Sequence, residues 1–334
     1  MKRFIVLLLV LSVVFTSFAS GSKEVEKPFE AVTVKDQIGR EVTVSEKPQK
    51  IVSGYYISSS ACIALGLKDN IVGIESLSNK RPIYKLAAPA LMEVTDVGTA
   101  KAFNLEACLA TEPDIVILPK KQKDTANILT EMGIPAIVVN PESHEQILEM
   151  FELFGKVLGK EKEAEKLISY YKGKLDFVEK KVADAKTKPV VYMCGTGSYL
   201  TTAPKDMYQG SLIESAGGKN AGDVINGSSW TEISYEQLIA MNPDIIVIPT
   251  NSNANGTPDY SINDILNDKQ LSKVNAVVNK AVYQMPVGYE AWDSPAPSGI
   301  LGTLWMLSTV HPELYSPAEF EKEVKSFYST FYGF

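Results

Sequence analysis

Two residue types are scarce in this 334-residue chain: there are two histidines, His144 and His311, and three cysteines, Cys62, Cys108 and Cys194. Each scarcity excludes a kind of chemistry. A site for bare zinc or manganese collects several imidazoles with carboxylates, and two distant histidines do not supply one. A serine triad needs a histidine and a strained Gly-x-Ser-x-Gly elbow, which are not found together here, so an exported hydrolase is set aside. The cysteines match no metal spacing and do not form a disulfide framework. Cys108 falls on the apolar face of a predicted helix and reads as a small core residue. Basic excess is also missing. Lys and Arg number 33 against 40 Asp and Glu, a net charge of −7. That excludes nucleic acid and an anionic membrane surface as natural partners. Gly195-Thr196-Gly197 follows a predicted strand, but no further glycine completes a dinucleotide fingerprint, and no cofactor is expected.

The one long apolar run stands at the start. Lys2 and Arg3 precede it, and Ser17-Phe18-Ala19 ends it with small residues at the positions a signal peptidase reads. Residues 1–19 are therefore read as a signal peptide. No cysteine stands near the cleavage point, so lipid attachment is not expected, and the expected location is the periplasm. Loss of Lys2 and Arg3 leaves 31 bases against 40 acids.

What is present is a repeat. Residues 104–119 read NLEACLATEPDIVILP and residues 234–249 read SYEQLIAMNPDIIVIP, 130 positions apart with six of sixteen identical. Each copy opens with a capping residue, Asn104 or Ser234, and continues with apolar residues at helical spacing. A Pro-Asp pair stops each helix. The apolar runs 115–118 and 245–248 then read as buried parallel strands. One helix–turn–strand unit used twice implies two similar lobes with a cleft between them.

Strand and helix patterns alternate on both sides of the repeat, which predicts Rossmann-like α/β lobes with mostly parallel sheets. The expected domains are an N-terminal lobe at 30–158, a linking helix at 161–185 and a C-terminal lobe at 188–334. The linking segment is rich in Glu and Lys at i,i+4 spacing and would span ~37 Å as a helix. It reads as one rigid strut between the lobes, which implies limited closure.

In open α/β sheets, ligands lie beyond the carboxyl ends of the strands. That rule selects Tyr55, Tyr56 and Ser58 after the first strand, Lys101, and Lys120 and Lys121 after the first repeat. In the second half it selects Ser198 and Tyr199, Trp230 before the second repeat, Asn251 after it, and Tyr289, Trp292 and Asp293 in the last long loop. Aromatic faces suit macrocycles and aryl chelators. Lys80, Arg81, Lys101, Lys120 and Lys121 make the first lobe locally basic, which suits an anionic chelate. Trp305, inside a helical pattern, is assigned to the core.

In this order, the segments resemble the periplasmic substrate-binding proteins of ABC importers for iron–siderophore complexes, haem and cobalamin. The carriers are Val34-Lys35-Asp36 through Val42-Thr43-Val44, Lys47-Pro48-Gln49-Lys50-Ile51-Val52, both Glu-bearing repeats, the linking helix, residues 208–218 and Phe327-Tyr328-Ser329-Thr330-Phe331-Tyr332. The resemblance covers nearly the whole chain after the leader. It implies two α/β lobes joined by one long helix, and a metal chelate or tetrapyrrole as ligand. The metal would arrive with its chelator, without protein ligands of its own. It also implies that Glu106 and Glu236 dock onto the permease dimer in the inner membrane, and that the protein acts as a monomer without enzymatic activity. A sensor or adhesin on the same fold is the remaining alternative.

Overall fold

The computed structural model describes residues 29–227, 229–249, 259–286 and 288–334. The leader and Asn251 lie outside the described residues. The chain opens with an antiparallel hairpin, β1 (Val32–Lys35) and β2 (Glu41–Val44). Its turn is organised by Asp36, whose Oδ1 accepts from the Ile38 and Arg40 amides at 3.1 and 2.9 Å.

The first lobe then alternates strand and helix: β3 (Ile51–Ser53), α1 (Tyr56–Ala64), β4 (Ile71–Ile74), α2 (Pro82–Ala87), β5 (Thr95–Asp96), α3 (Leu105–Ala110), β6 (Ile115–Pro119), α4 (Lys123–Glu131), β7 (Ala136–Val139) and α5 (His144–Leu158). The strands pair in the order β5-β4-β3-β6-β7, all parallel. β6 and β7 are buried along their whole length, as a strand covered on both faces by helices must be. The long helix α6 (Glu161–Ala183) follows.

The second lobe holds β8 (Val190–Met193), β9 (Thr201–Thr202), α7 (Tyr208–Ser215), β10 (Lys219–Asn220), β11 (Thr231–Glu232), α8 (Tyr235–Met241), β12 (Ile245–Ile248), α9 (Ile262–Leu266), α10 (Asn275–Val278), β13 (Val282–Gln284), α11 (Gly299–Val310) and α12 (Pro317–Phe331). Its sheet is also parallel, in the order β10-β8-β12-β13, and β9 and β11 form a small antiparallel pair beside it.

The repeat is visible as matched hardware. Asn104 caps α3 by accepting from the Ala107 amide at 3.0 Å. Ser234 caps α8 in a reciprocal box with Gln237. The repeated aspartates tie each unit to the opening strand of its lobe. Asp114 accepts from the Gln49 and Lys50 amides at 2.7 and 2.8 Å, ahead of β3. Asp244 accepts from Val190 at 3.0 Å, at the start of β8.

α6 is the long helix expected between the lobes, and a second helix packs beside it. α12 does not stay on the second lobe but runs along α6. Phe177 meets Tyr315 near one end, Tyr170 meets Phe327 and Phe331 further along, and Lys174 pairs with Glu323 at 2.7 Å. Beyond α12, Tyr332 donates to the Ser60 carbonyl of α1 at 3.4 Å, inside the first lobe. One apolar core therefore runs without a break from Ile51 and Ile117 through Phe154, Leu167 and Tyr171 to Met193, Leu304 and Phe327. The three cysteines are free and buried, and Trp305 is buried as well.

Candidate functional site

The site is built where β3 and β4 end. Gly54 follows β3, and a side chain there would press against Leu118 and Phe103 at 2.8 Å, so this close approach requires glycine. The chain can then turn at once into α1. Tyr55, the residue before the helix, provides no side-chain cap. The first turn of α1 thus lacks a side-chain cap, and it carries the positive end of the helix dipole. α7 likewise starts without a side-chain cap.

Tyr55 and Tyr56 meet edge to face with ring centroids 5.2 Å apart. Burial raises the pKa of both phenols, so both are neutral at physiological pH. Tyr56 Oη donates to Ser294 Oγ at 2.9 Å, joining the first lobe to the loop after β13. Asp293 is buried beside this contact; burial above all raises the pKa of Tyr56 and Tyr208, and the Asp293 charge adds to it. Its backbone carbonyl accepts from Gln209 of α7 at 2.8 Å.

Arg81 stands over Tyr56, with the guanidinium carbon 4.4 Å from the ring centroid. Its Nε donates to Glu75 at 3.2 Å. Lys120 and Lys121 are exposed at the exit of β6. They pull down the pKa of Glu142 after β7, although partial burial leaves it raised overall. Gln122 donates to the Ala100 carbonyl at 3.3 Å, which ties the turn bearing Lys101 to the same rim. Tyr55, Tyr56, Arg81, Lys120, Lys121 and Asp293 thus share one region with Glu142 and Ser294.

Other expected ligand residues are placed elsewhere, and each has a physical reason. Ser58 is fully buried, and its hydroxyl turns back to the Tyr55 carbonyl at 2.9 Å. Trp292 is 3 % exposed. Its indole donates to Tyr328 Oη at 2.9 Å and packs edge-on against Phe320. A side chain at Gly302 would collide with the Trp292 carbonyl, so this tryptophan is wedged into α11 rather than offered to the cleft. Tyr289 is exposed but sets its ring against Tyr328 and Phe334, on the α12 side. Tyr199 donates to Asp268 at 2.8 Å and lies 3.2 Å from Tyr235 Oη, next to α8. Ser198 accepts from the Leu200 amide at 3.1 Å within its own turn. Trp230 is partly buried against the continuous core.

Four participants were missed: Glu75, Glu142, Ser294 and Tyr84. Glu75 left one signal, an acid directly after the buried run IVGI and six residues before an arginine. Among the described residues, no cluster of His, Cys, Asp and Glu could hold a metal ion, and no helix is long and apolar enough to cross a membrane. Glu106 and Glu236 are both exposed, in the first turns of α3 and α8. Backbone hydrogen bonding and the Ser234 hydroxyl hold the Glu236 carboxyl below its usual range.

Comparison with known proteins places this geometry in a family. Residues 51–288 match the family described as "Periplasmic binding protein". The molybdate-binding protein MolA of Haemophilus influenzae is 23% identical over 324 residues, covering 90% of each chain. The Fe(3+) dicitrate-binding periplasmic protein FecB of Escherichia coli is 25% identical over 221 residues, covering 65% of this chain and 71% of its own. A periplasmic solute binding protein from Veillonella parvula superposes with a TM-score of 0.76 at 28% identity, covering 91% of this chain and 94% of that one. All three are described as binding proteins. The chain belongs to the periplasmic binding protein family and is a substrate-binding protein of an ABC importer.

Proposed function

We propose that the chain captures an anionic metal chelate with oxygen donors, most simply a ferric siderophore, between its lobes. It would then deliver the chelate to a permease dimer through Glu106 and Glu236. The observation that carries the ligand class is Arg81, stacked on Tyr56 at the lobe junction with Lys120 and Lys121 on the rim. A planar guanidinium over an aromatic ring suits carboxylate, catecholate or hydroxamate oxygens. The uncapped first turns of α1 and α7 favour negative charge in the same sense. Relatives named for Fe(3+)-citrate and Fe(3+) dicitrate support this reading. The relative named for molybdate matches over most of both chains and supports a second one, a bare oxyanion at the same arginine. Haem and cobalamin are the remaining candidates within the fold. Exported by its leader, the protein would work in the periplasm as a monomer.

Calorimetric titration tests the ligand class. The panel is ferric catecholate, hydroxamate and carboxylate chelates, molybdate, haem, cobalamin, and free zinc and iron. Saturable binding of one ferric chelate class is expected, weakened at least about tenfold in Arg81→Ala. Binding of free metal ions alone would overturn the proposal, as would a ligand indifferent to Arg81→Ala.

A further inference from the structure

Glu75 follows β4 directly and is 4 % exposed. A carboxylate that deep needs donors, and three converge on it. Ser59 Oγ donates to one oxygen at 2.5 Å. Tyr84 Oη and Arg81 Nε donate to the other at 2.8 and 3.2 Å. Burial is the largest influence on Glu75 and leaves its pKa raised, although Arg81 and the two hydroxyls pull against it.

The consequence falls on Arg81. Its guanidinium is gripped along one edge by Glu75 and on one face by Tyr56. The hydrogen bond to Glu75 uses Nε alone, and the side chain is 32% exposed. Nε meets the buried Glu75 while the side chain keeps part of its surface exposed, which leaves guanidinium N–H groups for a ligand. An unheld arginine gives up rotamer freedom when it captures a ligand oxygen, and this one has given it up in advance. The pair is also close to neutral seen from a distance. Its pull on a ligand is short-ranged and depends on where the ligand oxygens sit.

We propose that Glu75 is a positioning residue for ligand recognition: acting through Arg81, it makes the cleft select the placement of a ligand's oxyanion rather than its total charge. This rests on the anionic, oxygen-donor reading of the ligand given above. Tyr56 links the same assembly to Ser294 of the second lobe, so the pose of Arg81 is set by both lobes.

The test is a double-mutant cycle read by calorimetry with ferric citrate and with molybdate, at low and at high salt. Glu75→Gln keeps the shape and removes the charge. It is expected to weaken the probe that wild type binds by about tenfold and to steepen its salt dependence, because the cleft gains net positive charge. Glu75→Gln with Arg81→Ala should bind no more weakly than Arg81→Ala alone, since Glu75 acts only through that guanidinium. Affinity unchanged or increased in Glu75→Gln would overturn the proposal, and so would losses that add. Should Glu75→Gln fail to fold, Arg81→Lys asks the same question. An ammonium cannot be held edge-on while presenting a second pair of N–H groups, so it should bind as weakly as Arg81→Ala. Wild-type affinity in Arg81→Lys would overturn the proposal. If wild type itself binds neither probe nor any ferric chelate, the ligand reading falls first and this proposal with it. The two failures are thereby told apart.

Discussion

His144 is the first residue of α5, and both of its ring nitrogens are engaged. Nδ1 lies 3.0 Å from Tyr171 Oη of α6, and Nε2 lies 3.4 Å from Thr303 Oγ1 of α11. The Tyr208 ring of α7 packs edge-on against it at 5.6 Å. Burial holds its pKa down to about 4, and the positive start of α5 opposes an imidazolium in the same direction. The unfolded chain takes up the proton near pH 6.5, well before the folded one does. Stability from this site is thus complete above about pH 6.5 and is lost as pH falls toward 4. Denaturation at pH 7.5 and 4.5 should show wild type losing about 2 kcal/mol relative to His144→Gln. A difference that does not move with pH would mean His144 is solvated in the folded state. At this scale the sequence was a partial guide. The position of Tyr55 and Tyr56 was legible because a strand exit in a parallel sheet has one destination. Trp292 was not, since its loop has two faces and only packing against Phe320 and Tyr328 decides which way the indole turns. Glu75 was hidden because its three donors come from three separate segments.

Elements repeat more faithfully than residues do. α3 and α8 share a side-chain cap, an acid in the first turn and an aspartate that anchors the neighbouring strand. This is why the two-lobe α/β fold could be read from sixteen residues used twice. The two-residue strands β5, β9, β10 and β11 could not be read this way, because pairs so short carry no periodicity and exist only through their partners. The capping contrast also has functional content. α3 and α8 are capped by Asn104 and Ser234, and Glu106 and Glu236 in their first turns remain exposed. Exposed carboxylates orient an encounter and raise its rate, and contribute little to folding. The double variant Glu106→Ala with Glu236→Ala should therefore keep its melting temperature and its ligand affinity, and should lose most ligand uptake in a transport assay with the cognate permease. Uptake at the wild-type level would remove these two residues from the docking assignment.

At the scale of the whole molecule, the question is how far the lobes can move. A lone connecting helix would act as a strut with a hinge at each end. The second helix changes that mechanics. α12 lies along α6 and is fastened to it by Tyr170 and Lys174, Phe177 holds Tyr315 just ahead of it, and Tyr332 beyond it is fastened to α1. The apolar core is continuous across the junction, and His144, Tyr171, Tyr208 and Thr303 knit α5, α6, α7 and α11 at its centre. Large closure would have to shear this packed core, and close-packed interiors do not deform smoothly. We therefore propose that ligand capture proceeds by small adjustments at the rim, in the turns bearing Lys101 and Lys120, around a fixed Arg81. Small-angle scattering of the purified protein with and without saturating ligand checks this. The radius of gyration, roughly 20 Å for a compact chain of this length, should change by less than about 1 Å. A contraction of several ångströms would show that the paired helices bend, and the hinge would then have to be sought at the ends of α6 and α12.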